Sequence, residues 1–175
     1  MLPYNTAFST LKKLLDTPEL PAKRSKSCVH WILPNKLAVG RLPRLEDVSE
    51  LTQANIKGVL SLCAPQEGSL PAEIIQQFHC QRYVLPDSHY KTPLEVRQIV
   101  TVVEIIHAYL QKQMPIYVHC LAGMERSPSA CIAYLCRYHG LELWEALHWV
   151  KQVHRRTRLT DSQVKVLREF VESFS

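Results

Sequence analysis

The feature that most constrains this chain is an apolar run that passes through a short loop directly into a helical pattern. The run covers residues 115–118, the loop reads His-Cys-Leu-Ala-Gly-Met-Glu-Arg-Ser over residues 119–127, and helical spacing starts near Pro128. A strand, a tight loop and a helix start in this order form an anion site, because the N–H groups of the loop and the first helical turn have no partner within the helix. The positive end of the helix dipole adds to that attraction. The sequence therefore predicts an oxyanion-binding loop at this point.

The loop also carries a candidate nucleophile and a candidate phosphate ligand. Cys120 stands at its entrance, a position that favours the thiolate form. Arg126 closes the loop, and its planar guanidinium suits the oxygens of a phosphoryl group. The predicted phosphate-binding loop consists of Leu121, Ala122, Gly123, Met124, Glu125 and Arg126.

The spacing between the cysteine and the arginine is a weak signal when it is taken alone. With six Cys and eleven Arg in 175 residues, chance predicts about 0.4 such pairs, and a second pair, Cys131 and Arg137, does occur. That pair lies inside a helical pattern without a glycine or a preceding strand, so we interpret it as accidental. His119 before the cysteine, Gly123 within the loop and Ser127 after the arginine distinguish the first pair.

Composition limits the class of protein. A chain of 175 residues with 46% hydrophobic and 21% charged residues fits one globular domain. No apolar run approaches the roughly 20 residues of a transmembrane helix, and the N-terminus lacks a signal-peptide pattern. Six irregularly spaced cysteines then indicate reduced thiols, and no spacing indicates zinc. The net charge of +5 falls short of a nucleic-acid-binding protein. We expect a cytoplasmic monomer that needs no cofactor and no metal and contacts neither nucleic acid nor membrane.

Strand and helix patterns alternate along the chain. Residues 1–27 are predicted to be an N-terminal extension, with a helix over 5–15 and a basic linker, and residues 28–175 the catalytic domain. Strands are predicted at 36–40, 57–63, 80–85 and 116–119, and helices at 45–51, 71–78, 94–113, 128–139, 143–153 and 161–174. Alternation of this kind predicts an α/β sandwich with a largely parallel sheet.

The loop resembles the motif of a known enzyme family. His-Cys-x-x-Gly-x-x-Arg-Ser is similar to the signature of the cysteine-dependent protein tyrosine phosphatase superfamily, in its dual-specificity phosphatase-like branch. The order of elements across roughly residues 30–174 is similar as well. The resemblance implies the phosphatase fold, a three-layer α/β sandwich whose central, largely parallel sheet of four to five strands is flanked by helices. It also implies a phosphorylated protein or peptide as the substrate.

A phosphatase of this kind needs an acid that protonates the leaving oxygen. Asp87 follows the third predicted strand in Leu-Pro-Asp, which resembles the family's Trp-Pro-Asp general-acid loop. Strand ends of a parallel sheet share one edge, so a loop at residue 87 can reach the phosphate loop. A plain turn residue after proline is the alternative. The resemblance further implies that Cys120 forms a phosphocysteine, that Ser127 stabilises its sulfur as a leaving group, and that His119 supports the loop.

Three features depart from the family pattern or extend it. Glu125 is an acidic residue within an anion loop, and we expect its side chain to point outward; the alternative is that it sets substrate preference at the rim. The loop lacks the lysines of the resembled phosphoinositide phosphatases. Cys63 lies near the same predicted sheet edge as Cys120, and some relatives form a protective disulfide there, so Cys63 is a candidate redox partner. A basic cluster at residues 154–158 consists of His154, Arg155, Arg156 and Arg158. It is expected either to line a substrate groove and favour phosphopeptides with acidic neighbours, or to be a solvated helix end.

Several functions remain open at this point. The leading prediction is a dual-specificity or tyrosine protein phosphatase. The same loop would serve a non-protein ester, such as an RNA 5′-phosphate, a phosphoglucan or a phosphoinositide, because fold does not fix the substrate. A phosphate-binding module without turnover is a third alternative. A sulfurtransferase is a fourth, although it would not need Asp87.

Overall fold

The fold is built on a mixed five-stranded sheet. The structure, a computed structural model, describes residues 27–89 and 92–174. Within these ranges the strands are β1 His30–Leu33, β2 Leu37–Arg41, β3 Gly58–Ser61, β4 His79–Arg82 and β5 Ile116–Cys120. The helices are α1 Val48–Gln53, α2 Ala72–Gln77, α3 Val96–Gln111, α4 Arg126–His139, α5 Leu143–Val153 and α6 Asp161–Glu172. Short 3₁₀ turns occupy Leu45–Asp47 and Pro65–Glu67.

The strand order is β1-β2-β5-β3-β4. β2, β5, β3 and β4 are parallel neighbours, whereas β1 pairs with β2 in the antiparallel sense. The prediction of an α/β three-layer sandwich with a largely parallel sheet of four to five strands is confirmed. β1 was not predicted, and β4 ends at Arg82 rather than at residue 85. β1 is a four-residue edge strand, which is too short for a clear alternation of polar and apolar residues.

The two faces of the sheet are covered by different helices. Val39, Leu60 and Val118 belong to the core that also contains buried residues of α3, α4, α5 and α6. The alternate strand positions, including Val59 and Tyr117, belong to a second core with buried residues of α1 and α2. Because successive side chains of a strand point to opposite faces, a strand covered on both sides is apolar throughout. This explains why the central strand β5 could be recognised from sequence.

The helix after the loop is held in place by burial along its first three turns. Every residue from Arg126 to Cys136 is buried, and small residues such as Ser129, Ala130 and Ala133 let α4 lie close to the sheet. The helix ends at His139, and the next residue, Gly140, adopts a left-handed conformation with φ of 65° that is typical of a helix stop. Since both β5 and α4 are anchored in the core, the loop between them has fixed ends.

Some features fall outside this description. The predicted N-terminal helix over residues 5–15 and most of the predicted extension lie outside the described residues. In the described part of the chain, no helix is both long and apolar enough to cross a bilayer.

Candidate active site

The phosphate loop lies between the end of the central strand β5 and the start of α4. It turns at Gly123, whose φ of +71° lies in the left-handed region that favours glycine. A Cβ atom at this position would lie 2.7 Å from the carbonyl carbon of Gly40 and 2.8 Å from the backbone nitrogen of Arg41. The loop therefore packs against the end of β2 so closely that a side chain has no room.

Cys120 is the last residue of β5 and lies at the floor of a cavity. Its side chain is buried, and the Ser127 hydroxyl is 3.3 Å from its sulfur. The same hydroxyl is 3.2 Å from the carbonyl oxygen of Gly40, so its single proton can serve either acceptor. The structure thus brings the predicted nucleophile and the predicted hydroxyl donor together.

Arg126 is held by a carboxylate that the sequence analysis missed. The guanidinium, 2% exposed, donates to both oxygens of Glu67, with Nη1–Oε2 at 2.9 Å and Nη2–Oε1 at 2.7 Å. Burial alone would lower the pKa of Arg126, but the hydrogen bonds to Glu67 outweigh it and the pKa is raised. Hydrogen bonding to Arg126 in turn lowers the pKa of Glu67. A charged pair with this geometry fixes the plane of the guanidinium in advance of any ligand.

The predicted general acid also reaches this arginine. Asp87 lies five residues beyond the end of β4, and its Oδ2 is 2.8 Å from Nη2 of Arg126. Its other oxygen accepts hydrogen bonds from the backbone nitrogen of His89 at 3.0 Å and from the ring Nδ1 at 2.7 Å. Partial burial alone would raise the pKa of Asp87, but these hydrogen bonds and the charge of Arg126 lower it. These contacts therefore favour the carboxylate form of Asp87.

The cavity above Cys120 has a volume of about 430 Å³. Its lining residues are Gln66, Glu67, Asp87, His89, Cys120, Leu121, Ala122, Met124, Glu125 and Arg126. Among these described residues, Arg126 alone carries a fixed positive charge, against three carboxylates. The site is therefore an anion cradle with an acidic wall.

His119 supports the loop from within the sheet. It is fully buried, and its Nδ1 lies 3.3 Å from the carbonyl oxygen of Cys120. Burial lowers its pKa to about 4, so its ring is neutral at ordinary pH. A neutral ring that donates to the backbone of Cys120 fits the predicted supporting position.

The basic cluster at residues 154–158 does not behave as one surface. His154 is buried, and its Nε2 lies 2.6 Å from the carbonyl oxygen of Gly123, whereas Arg155 and Arg156 are exposed. The prediction that His154 is solvated or lines a groove is therefore wrong. Its position after a helix and beside three arginines favoured the surface, and only the tertiary fold places it under the loop.

Glu125 and Cys63 both lie near the phosphate loop, and the roles expected of them stay predictions. Glu125 lines the cavity, and its Oε2 accepts a hydrogen bond from Nε2 of Gln163 at 3.3 Å. Cys63, two residues beyond the end of β3, is fully buried with a free thiol. Burial raises the pKa of Cys63 to about 11, although the charge of Arg126 opposes this shift.

One group of residues within the described ranges has the composition of a metal site. Ligand-type atoms of Cys28, Asp47 and Glu50 lie within 4.8 Å of one another. Asp47 is already paired with Arg41 at 2.7 Å, and Glu50 accepts the backbone N–H of Cys28 at 3.1 Å. The oxygens of both carboxylates thus have protein donors, and we assign no metal to this group.

Comparison with known proteins agrees with the geometry of the loop. The family profile described as "Dual specificity phosphatase, catalytic domain" matches residues 39–173. The chain belongs to this family. The predicted relationship to the cysteine-dependent phosphatases, in their dual-specificity branch, is thereby confirmed.

Individual relatives differ in what they are named for. "Phosphatidylglycerophosphate phosphatase PTPMT2" from Arabidopsis thaliana is 29% identical over 134 residues, which are 77% of this chain and 59% of that protein. "Dual specificity protein phosphatase 14" from Mus musculus is 49% identical over 51 residues, 29% of this chain and 26% of that protein. The chain thus spans less than two thirds of the length of these relatives.

A solved structure matches over most of the described chain. The crystal structure of Tk-PTP in its active form has a TM-score of 0.74 at 23% identity, covering 85% of this chain and 99% of that one. At this level of identity the match shows a shared fold and nothing more specific.

Proposed function

We propose that this protein hydrolyses phosphoric monoesters through a phosphocysteine intermediate and that its substrates are phosphorylated proteins. One observation carries the proposal: Cys120, Arg126 and Asp87 meet in a single cavity, although 33 residues separate Asp87 from Cys120 in the sequence. A phosphate-binding module or a sulfurtransferase would not need the carboxylate. Family membership supports the same class of reaction.

In the first step the Cys120 thiolate attacks phosphorus in line with the leaving oxygen. The S–P bond forms, the P–O bond of the ester breaks, and the Asp87 carboxyl gives its proton to the leaving oxygen. The N–H groups of the loop and the guanidinium of Arg126 stabilise the charge that develops on the equatorial oxygens. Asp87 needs a proton for this step, and the dianionic phosphoryl group beside it would raise its pKa.

In the second step water attacks the phosphocysteine. The Asp87 carboxylate takes a proton from that water, a new P–O bond forms, and the S–P bond breaks. The Ser127 hydroxyl, 3.3 Å from the sulfur, donates to the departing thiolate and makes it a better leaving group. Inorganic phosphate then leaves the loop, and no cofactor or metal is needed for either step.

The charges around the cavity support a protein substrate. The described lining offers Arg126 as its fixed cation and places the carboxylates of Glu67, Asp87 and Glu125 around it. Glu67 and Asp87 already pair with Arg126, and His89, whose pKa is raised by its hydrogen bond to Asp87, is the other lining group that can become positively charged. A second phosphate would therefore find no second fixed cation in this lining and would be repelled by Glu125. A phosphorylated side chain with neutral or basic neighbours is the better match. This argument also disfavours phosphoinositides.

A lipid monoester is the second candidate, because one relative is named for phosphatidylglycerophosphate. That lipid carries a phosphodiester beside its terminal phosphate, so it would bring extra negative charge to the cavity mouth. Glu125→Gln would then raise kcat/KM for the lipid several-fold at low salt, by removing a charge beside that diester. The same change would leave kcat/KM nearly unaffected for a phosphopeptide whose residues beside the phosphate are neutral.

The mechanism is tested by hydrolysis of p-nitrophenyl phosphate and of phosphopeptides. Cys120→Ser is expected to abolish turnover, and Asp87→Ala to lower kcat on phosphoserine or phosphotyrosine peptides by about 10²–10⁴-fold. Cys80→Ser is the matched control, since this half-buried thiol lies on the edge strand β4, away from the loop. Full activity of Cys120→Ser would refute the mechanism, and an inactive, freshly reduced wild type would favour a binding module.

The substrate is tested on a panel. Phosphopeptides with neutral, basic and acidic neighbours are compared with vesicles that contain phosphatidylglycerophosphate or a phosphoinositide. We expect the highest kcat/KM for peptides with neutral or basic neighbours. A higher value for a lipid, abolished in Cys120→Ser, would overturn the protein-substrate part and leave the mechanism intact. A cytoplasmic location and a monomeric state stay predictions.

A further inference from the structure

The outer side of the phosphate loop is held by hydrogen bonds to its carbonyl groups. The backbone nitrogen of Leu42, just after β2, donates to the carbonyl of Leu121 at 3.1 Å. The carbonyl of Gly123 lies 2.6 Å from Nε2 of His154. The carbonyl of Met124 accepts the backbone N–H of Arg158 at 2.8 Å. Three peptide groups of the loop are thus fixed from behind, two of them by the segment that joins α5 to α6.

The direction of these carbonyls determines where the loop's N–H groups point. In a planar trans peptide, the C=O of one residue and the N–H of the next point in opposite directions. A Gly123 carbonyl directed outward to His154 therefore turns the N–H of Met124 toward the cavity side. A Met124 carbonyl directed outward to Arg158 does the same for the N–H of Glu125. Both N–H groups belong to the set that would bind the phosphoryl oxygens.

His154 is the one side chain among these three donors, and its surroundings require a particular tautomer. A carbonyl oxygen only accepts, so the contact with Gly123 needs a proton on Nε2. His154 is 2% exposed, and Nδ1 has no hydrogen-bond partner within the described ranges. The ring packs edge-on against His30, with 4.6 Å between the ring centroids.

The surroundings also keep the ring neutral. Burial, followed by the nearby charges of His30 and Arg156, lowers the pKa of His154 to about 4, and the hydrogen bond to Gly123 opposes this only in part. At functional histidines, the hydrogen bond that one ring nitrogen makes determines which nitrogen carries the proton. The contact of His154 with Gly123 fixes its neutral ring in the same way. Its partner here is the backbone of the catalytic loop rather than a substrate or a metal.

We propose that His154 is a positioning residue of the phosphatase, whose Nε2–H holds the Gly123 carbonyl outward and so directs the N–H of Met124 to the bound phosphoryl group. The proposal rests on the function proposed above, because it assigns a part in the same phosphate cradle. His154 touches neither the substrate nor Cys120 in this arrangement. It acts by fixing one peptide plane before the ligand arrives.

Two substitutions separate the hydrogen bond from the volume of the ring. His154→Leu keeps an apolar side chain of similar size and removes the donor. His154→Gln keeps an N–H group near the position of Nε2. His107→Leu is the matched control, because it removes an imidazole on α3 that stacks on Tyr138, away from the loop. The readouts are kcat and KM for p-nitrophenyl phosphate, the calorimetric affinity for orthovanadate, a phosphate mimic, and the melting temperature.

We expect His154→Leu to bind orthovanadate about tenfold more weakly, which is the usual net effect of one hydrogen bond. Its kcat should fall by a similar factor, since the oriented N–H groups act mainly on the transition state. His154→Gln should stay within about threefold of wild type. A folded His154→Leu variant with wild-type affinity for orthovanadate and wild-type kcat would overturn the proposal.

A measurement on the wild type covers the case in which His154→Leu does not fold. Nitrogen NMR of ¹⁵N-labelled imidazole rings distinguishes the two neutral tautomers. We expect the Nε2–H tautomer for His154 at pH 7, and finding the Nδ1–H tautomer would refute the proposal. Neither calorimetry nor NMR requires turnover, so a wild type that binds orthovanadate without hydrolysing any ester would refute the proposed function alone.

Discussion

Replacing Glu67 with glutamine tests how the site holds its arginine. In Glu67→Gln the amide oxygen can still accept from one guanidinium nitrogen, but the amide NH₂ faces the other N–H of Arg126. One charge-assisted hydrogen bond is lost, at about 1.5–3 kcal/mol. Removing one partner of a fully buried pair costs more, about 3–5 kcal/mol. Asp87, 2.8 Å from Nη2, still compensates the charge of Arg126, so the lower figures apply.

We therefore expect Glu67→Gln to lower the free energy of unfolding by about 2–3 kcal/mol. For a chain of 175 residues this corresponds to a fall in melting temperature of roughly 5–10 °C. Added phosphate should raise the melting temperature more in the variant than in the wild type, because a bound anion replaces the negative charge that Arg126 has lost from its partner at position 67. Calorimetry with and without phosphate measures both effects.

The pH dependence provides an internal check. The pKa of Glu67 is lowered in the folded protein, so its contribution is fully present above the unfolded value of about 4.5 and is lost as the pH falls through the folded value. The difference between wild type and Glu67→Gln should therefore shrink below pH 4.5. Glu46→Gln is the control, since its pair with Arg44 is exposed on both sides. If both variants melted at the same temperature, the reasoning about Arg126 would be refuted.

Three further predictions concern the loop and the groups buried around it. Gly123→Ala should lower the free energy of unfolding by more than about 3 kcal/mol, measured by calorimetry, and abolish turnover, because backbone strain and a steric clash combine. Gly140→Ala, with a similar φ but open space around the new Cβ, should lower it by about 1 kcal/mol and leave turnover intact. The pKa of His119 is lowered to about 4 in the folded protein, against 6.5 unfolded. The contribution of its neutral ring to the free energy of unfolding is therefore fully present above pH 6.5 and is lost progressively as the pH falls from 6.5 toward 4. Urea unfolding at pH 5 should show roughly 2 kcal/mol less stability from this group, a loss absent in His119→Asn. After mild peroxide, which oxidises the Cys120 thiolate to a sulfenic acid, displacement of water by the Cys63 thiol should give a disulfide; mass spectrometry without that cross-link would count against it.

The loop could be predicted because its signals lie close together in the sequence. Contacts between residues distant in sequence, such as that of Glu67 with Arg126, could not be predicted. Strand, loop and helix start follow one another over residues 115–139, so their pattern carries both the predicted nucleophile and the predicted phosphate-binding loop. Asp87 could be placed because the ends of parallel strands meet at one edge. Glu67 follows the neighbouring strand β3 by six residues and reaches the same edge from a 3₁₀ turn. That position could have indicated that Glu67 lies near the site. A carboxylate beside an anion-binding loop is nevertheless unexpected unless the structure shows that it binds the guanidinium of Arg126.

His154 illustrates the other kind of failure. In the sequence it stands beside Arg155 and Arg156, and charge patterning predicts a surface position, either in a substrate groove or at a solvated helix end. In the structure the chain turns under the loop at this residue, and the backbone of Gly123 is its partner. Charge patterns predict which residues avoid the core on average. They cannot predict that one histidine ring is buried because it donates to a backbone carbonyl distant in sequence, as His154 does to Gly123.

The shared nitrogen of Arg126 has a consequence for the timing of catalysis. Its η nitrogens already donate to Glu67 and Asp87. A phosphoryl oxygen that takes the Nη2 donor must displace Asp87, since Glu67 is the more buried and is held by two bonds. Binding is then an exchange of one anion for another, which favours a dianion over a weaker acceptor. Asp87 then loses the Arg126 charge that lowers its pKa, so arrival of the substrate and uptake of the proton that the proposed acid needs are coupled.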